Sequence, residues 1–240
     1  MTQRLALEHF YQSPLGFWSS FFILKKIQAF WPSISADKTL AGLGLSAPFL
    51  EYYGKSDFHP LQVTLPCHGL SYAAAFEQCF NVVSEETLLC LASESVDYLL
   101  LIHGLEFFSE NKQAFREIWR VLKPLGKVLI ITPNRRGLWS RAESTPFGHG
   151  QPYSLSQLQE LLKDNLLIPV RHDRCLYMPP LESKAVLKLS PAIEKIGSCV
   201  LQKFSGLVMV EAIKELYAPS SKASFRLKRF FPIHQNCPQN

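Results

Sequence analysis

From residue 38 onward, short unbroken apolar runs alternate with stretches in which apolar residues recur every three or four positions, the mark of strands joined by helices. "KTLAGLGL" (38–45) predicts a first strand that ends in a glycine turn, and "LQVTLP" (61–66) a second. "NVVSEE" (81–86) holds a third, edge-like strand. "VDYLLLIHG" (96–104) has no polar alternation, so it reads as a strand covered on both faces. The helix predicted after it is capped by Ser109 and turns Phe115, Ile118, Trp119 and Leu122 to one side. "KPLG" then turns the chain into "KVLIITP" (127–133), another buried strand that Pro133 ends. Ser154 and Gln157 have capping-box spacing, and Leu155, Leu158, Leu161 and Leu162 form the buried stripe of the helix they open. Two late strands, in "LLIPVRHDRCLYMPP" (166–180) and "SGLVMVEAIKELYA" (205–218), bracket a helix around "PAIEKIGSCVLQKF" (191–204).

Ahead of this region, "GFWSSFFILKKIQAFW" (16–31) repeats Phe17, Phe21, Leu24, Ile27, Phe30 and Trp31 at helical spacing and predicts an amphipathic helix over about 14–31. Docking on the domain's own core is the plain reading. Its Trp, Phe and Lys content also suits a membrane headgroup boundary.

With 240 residues, 47% hydrophobic and 19% charged, the chain has the composition of a folded domain with a large core. We expect a single domain over 1–217 and a basic, flexible tail over 218–240. In that tail Lys222, Arg226, Lys228 and Arg229 interleave with Phe225, Phe230 and Phe231, a pattern that allows weak membrane or nucleic-acid contact. The net charge of +5 falls short of the stripe expected of a dedicated nucleic-acid binder. The six cysteines are scattered without a C-x-x-C pair, so reduced thiols and a cytoplasmic location are expected. No apolar run reaches membrane-spanning length, and no metal-ligand spacing, nucleophile elbow or phosphate-binding loop is present.

The stretch "SVDYLLLIHGLEFFSENKQAFREIWRVLKPLGKVLIITPN" (95–134) resembles the fourth strand, following helix and fifth strand of the class I S-adenosylmethionine-dependent methyltransferases, in particular the methyltransferase type 11 group. "YSLSQLQELL" (153–162) is similar to that group's next helix, and the resemblance extends over about 36–180. It implies a Rossmann-like α/β fold: a mostly parallel seven-stranded sheet with an antiparallel last strand, helices on both faces, and here an extra N-terminal helix. It also implies S-adenosylmethionine as cofactor and methyl transfer as the activity, with a small, anionic molecule as the expected acceptor. Two other readings stand beside it: a catalytically inactive scaffold of the same fold, and a peripheral membrane or RNA-binding module.

The resemblance assigns residues. In "LAGLGLSAP" (40–48), Gly42 falls at the family's acidic position, Gly44 at the first glycine, and Ser46 and Pro48 at the next two. The family's ribose-binding carboxylate after the second strand is replaced by Pro66, Cys67 and His68, and Glu85 falls on the adenine-binding acid. The expected cofactor contacts are therefore Gly42, Gly44, Ser46, Glu85 and His103. His103 leaves the fourth strand at the ligand rim and is also the candidate proton acceptor. The long loop 134–153 supplies the candidate acceptor-binding residues Asn134, Arg135, Arg136 and His149, because guanidinium forks grip carboxylate or phosphate. No metal site is expected.

Overall fold

The computed structural model describes residues 10–54, 58–65 and 79–215. Seven strands, β1 (Leu40–Gly44), β2 (Leu61–Thr64), β3 (Phe80–Val83), β4 (Val96–Ile102), β5 (Leu122–Pro133), β6 (Leu167–Cys175) and β7 (Leu207–Lys214), form one sheet. Their order is β3-β2-β1-β4-β5-β7-β6. The first five strands are parallel, and β7 runs antiparallel to both of its neighbours.

β4 and β5 lie at the centre because they are apolar on both faces. Leu100, Ile102, Leu129 and Ile131 pack into one layer, and Leu99, Leu101, Val128 and Ile130 into the other. The first layer is closed by α1 (Pro14–Phe30) and α2 (Ala47–Leu50), with α5 (Lys184–Val200) at its margin. The second is closed by α3 (Asn111–Val121) and α4 (Leu155–Asp164), through Phe115, Ile118, Leu158 and Leu162. This is the doubly covered, mostly parallel seven-stranded sheet that the resemblance implied.

Local chemistry fixes several joints. The α4 capping box is formed: Ser154 Oγ accepts from the Gln157 amide, and the Gln157 side chain accepts from the Ser154 amide. Asp97 accepts from the Thr39 amide at 3.0 Å and pairs with Lys123, tying the entrance of β1 to β4. Burial alone would raise the Asp97 carboxyl, but Lys123, the Thr39 amide and Lys38 outweigh it and hold the group below its ordinary value. Trp31 donates its indole N–H to Glu211 at 2.8 Å, which anchors the end of α1 on β7.

Four details differ from the sequence expectation. Helix α1 buries Leu15, Ser19, Phe22, Ile23, Ile27 and Phe30, while Phe17 and Phe21 face outward. The helix is apolar on more than one side, so spacing alone does not choose the inward face. Residue Glu110, not Ser109, occupies the cap position of α3, and the Ser109 hydroxyl donates to Glu86 instead. "KPLG" is a bulge within β5: Val96 pairs with Leu122 and Tyr98 with Lys127, so the intervening residues loop out, with Leu125 at φ 60°. Finally, α5 begins at Lys184 and runs through Pro191. Proline removes the donor that would reach Leu187 O, and the Ser190 hydroxyl supplies a replacement at 2.7 Å.

Candidate functional site

The carboxyl ends of parallel strands form the ligand rim of such a sheet. At the end of β1, Gly44 has φ 83°, and a β-carbon there would lie 2.4 Å from Ile102 O. The Leu45 amide donates to the same carbonyl at 2.9 Å. Close approach of β1 to β4 in a left-handed conformation requires glycine here. Gly42, two residues earlier, faces the underside of α2. A β-carbon on it would meet Ser46 Oγ at 2.1 Å and Leu50 Cδ1 at 2.5 Å. The Ser46 hydroxyl therefore occupies the space where an acidic side chain at position 42 would begin. It donates to Gln62 Oε1 at 2.6 Å, and Gln62 Nε2 donates to Gly44 O at 2.7 Å. The turn is thus held from below by a buried amide that sequence reasoning did not single out.

At the exit of β4, His103 is 2% exposed and has φ 51°. Its Nε2 lies 2.6 Å from the Tyr11 hydroxyl and its Nδ1 lies 3.3 Å from Glu106 Oε1. One tautomer satisfies both contacts, with Nδ1–H donating to the carboxylate and Nε2 accepting from tyrosine. The Phe147 ring packs 4.9 Å from the imidazole, with Trp139 and Phe10 edge-on behind it. Glu106 Oε2 is buried and has no partner, and so is the hydroxyl of Thr64 at the end of β2. Buried carboxylate oxygens are almost always paired in a folded protein, because an unpaired one forfeits its hydration.

Gly44 thus stands between two orphaned polar groups on one rim. Leu43 pairs with Val63, one residue before Thr64, while Gly44 pairs with Ile102, the residue before His103. Sequence reasoning missed Glu106, Thr64 and Tyr11. The i, i+3 spacing of His103 and Glu106 was a usable signal, but the Tyr11–His103 contact spans 92 residues and left none.

The other candidates are spread around this rim. Glu85 is exposed, two residues past the end of β3, on a strand about 10 Å across the sheet from β1. Pro66, Cys67 and His68 lie outside the described residues, as does the tail. Asn134 commits its carboxamide to the fold, donating to Ser205 O at 2.9 Å and accepting from the Arg136 amide at 3.2 Å. Arg135 lines a groove with Gln151 and Tyr153, and His149 one with Phe10 and Thr145. Arg136 lines a recess of about 230 Å³ with Ser154, Ser156, Arg174 and Lys203, in which no acidic side chain takes part. Arg174 Nε is buried there without a partner. The four residues expected to bind acceptor therefore divide among three recesses, and Arg174 joins one of them from β6. Among the described residues no cluster of His, Cys, Asp or Glu has metal-binding geometry, and no helix is long and apolar enough to cross a membrane.

Sheet order, the antiparallel β7 and this rim define the Rossmann-like class I methyltransferase fold. Residues 41–130, from β1 into β5, match the family described as a methyltransferase domain, Methyltransf_11. The resemblance read in the sequence is borne out to this extent: the segment matches the family model in sequence, and the sheet has the fold of SAM-dependent methyltransferases. Solved structures agree on the fold. A possible histamine N-methyltransferase from Thermotoga maritima is 14% identical, with 87% of this chain and 94% of that one covered at a TM-score of 0.63. A SAM-dependent methyltransferase from Archaeoglobus fulgidus is 15% identical over 80% of this chain and 93% of its own, with a TM-score of 0.59. Geranyl diphosphate C-methyltransferase from Streptomyces coelicolor is 17% identical over 80% and 76%, with a TM-score of 0.54. No curated protein matches the chain in sequence.

Proposed function

We propose that the protein is an S-adenosylmethionine-dependent methyltransferase acting on a small acceptor that carries an anionic group. The observation that carries this reading is the unpartnered Glu106 carboxylate oxygen, on the side chain that meets His103 just past the end of β4, on the ligand rim of a methyltransferase-like sheet. The residues present fit the cofactor. A ligand with an ammonium group and ribose hydroxyls would satisfy Glu106 Oε2 and Thr64 Oγ1, two of the buried polar groups left without partners at the strand ends. Glu106, in the turn after β4, takes over the negative charge that position 42 of β1 lacks. Glu85 remains the candidate acceptor for the adenine amino group. When bound, the cofactor supplies an electrophilic methyl group on a sulfonium centre.

The chain's own residues have three tasks. Tyr11 and Glu106 fix the ring orientation and tautomer of His103, so that its Nε2 lone pair faces the Tyr11 hydroxyl. Phe147, Trp139 and Phe10 exclude water from that side. Arg136, Arg174 and Lys203 offer three cations to a phosphate or carboxylate, which supports an anionic acceptor. One of the structurally similar enzymes holds geranyl diphosphate beside S-adenosyl-L-homocysteine, so this fold can accommodate an acceptor of that charge.

Calorimetric titration with S-adenosylmethionine and S-adenosylhomocysteine tests the proposal. Binding of both is expected, and no heat with either at millimolar concentration would refute it.

A further inference from the structure

Helix α5 is built inside out. Its fully buried residues are Ser190 and Gly197, and its carboxylate, Glu194, turns inward to accept from the amides of Leu176, Tyr177 and Met178. Facing solvent are Leu189, 57% exposed, Ile196, 64%, and Val200, 73%, continued by Leu201 and Phe204 beyond the helix end. At about 100° per residue, Ala185, Leu189, Ala192, Ile196, Cys199 and Val200 fall within one arc about 100° wide. Lys184, Lys188 and Lys195 fall together along one edge of that arc, and all three are exposed. No acidic side chain of α5 shares this face.

Helix α1 packs beside α5 on the same layer of the sheet and repeats the arrangement. Phe17 is 61% and Phe21 45% exposed, one turn apart, and Lys25 follows on the next turn. A water-facing stripe of this size would otherwise be selected against, so a partner is called for. The charge chooses among partners. Lysines bordering apolar side chains match a surface of negative headgroups over hydrocarbon, where the lysine heads meet phosphate and the stripe enters the acyl boundary. A second copy of this chain would present the same lysine-edged stripe, without carboxylates on that face to pair with them.

We propose that the outward face of α5, with Phe17 and Phe21 of α1, docks the protein on membranes rich in acidic phospholipids. The helix lies in the interface plane, and the ligand rim stays open to solvent-borne or interfacial acceptors.

The test is co-sedimentation of the full chain with vesicles of phosphatidylcholine alone and of phosphatidylcholine mixed with phosphatidylglycerol. Retention on the mixed vesicles only, weakening as salt rises, is expected. Replacing Leu189, Ile196 and Val200 with serine, or Lys184, Lys188 and Lys195 with glutamate, should lower the partition coefficient by roughly ten- to a hundredfold. All six side chains are solvent-exposed, so an unchanged circular dichroism spectrum and melting temperature are expected in both variants. Three results would overturn the proposal. The first is no retention on acidic vesicles. The second is retention that both variants keep but deletion of residues 218–240 abolishes, which assigns it to the tail. The third is concentration-dependent dimerisation, without vesicle binding, that the serine variant abolishes.

Discussion

Replacing Glu106 with glutamine separates the cost of the rim from its use. The substitution keeps the shape of the side chain and an oxygen that can accept from His103 Nδ1, now 3.3 Å from Glu106 Oε1. It removes the charge that Oε2 carries without a partner. In the free protein that oxygen is an uncompensated buried acceptor, so Glu106→Gln should leave the unliganded fold as stable as wild type, or up to about 1 kcal/mol more stable. In the complex, a hydrogen bond between charged groups is worth about 1.5–3 kcal/mol, so its loss weakens S-adenosylmethionine by roughly 10- to 150-fold. Denaturant unfolding without ligand and calorimetric titration with ligand measure the two halves. An affinity within about twofold of wild type would remove Glu106 from the cofactor site, since the lost bond is worth at least tenfold. A loss of more than about 1 kcal/mol in the free protein would show that the carboxylate is satisfied there, and the reading of the rim would fail with it.

Three further perturbations probe the supports of the site. Gly44→Ala places a β-carbon 2.4 Å from Ile102 O at φ 83°; the strained backbone and the threatened Leu45–Ile102 bond together should cost about 2–4 kcal/mol, or roughly 5–15 °C in melting temperature, and a near-wild-type melt would mean that the turn relaxes. The Asp97 carboxyl is held below its ordinary value in the folded state, so its contribution is complete above the unfolded pKa of about 3.9 and is lost as pH falls below that value. Asp97→Asn should therefore cost about 1–2 kcal/mol at neutral pH and flatten the acid limb of the stability curve, whereas a parallel curve would clear Asp97 of that role. Inorganic pyrophosphate should raise the melting temperature of the wild type and do so much less for Arg174→Gln; equal shifts would rule out the recess at Arg136, Arg174 and Lys203 as the anion site.

What the sequence made legible follows from how local each determinant is. β4, α3 and β5 could be read because an unbroken apolar run, a 3.6-residue stripe and a second apolar run each declare themselves within a dozen residues. The capping box at Ser154 and Gln157 was legible for the same reason. Which face a helix buries is a tertiary decision, and it was not legible where the helix is apolar all round. Phe17 and Phe21 fit the pattern of an inward stripe, yet Phe22 and Ile23 took the core. α5 carries the same ambiguity further, burying Ser190 and Gly197 while leaving Ile196 and Val200 in water.

The rim makes the same point chemically. The glycine motif was read as having lost its acid, because linear matching compares position 42 with position 42. In the folded chain Ser46 fills that space and Gln62 holds the turn, so an acid restored by Gly42→Asp would meet Ser46 Oγ before it met any ligand. On the proposed reading negative charge returns from Glu106, in the turn that follows β4, the strand whose end pairs with Gly44, although 62 positions separate the two residues in the chain. A site defined by charge and cavity can keep its chemistry while its motif drifts, provided that the replacement group reaches the same rim from a neighbouring strand. The degenerate motif therefore weighs less against cofactor binding than its letters suggest, and the orphaned oxygen of Glu106 weighs more in its favour.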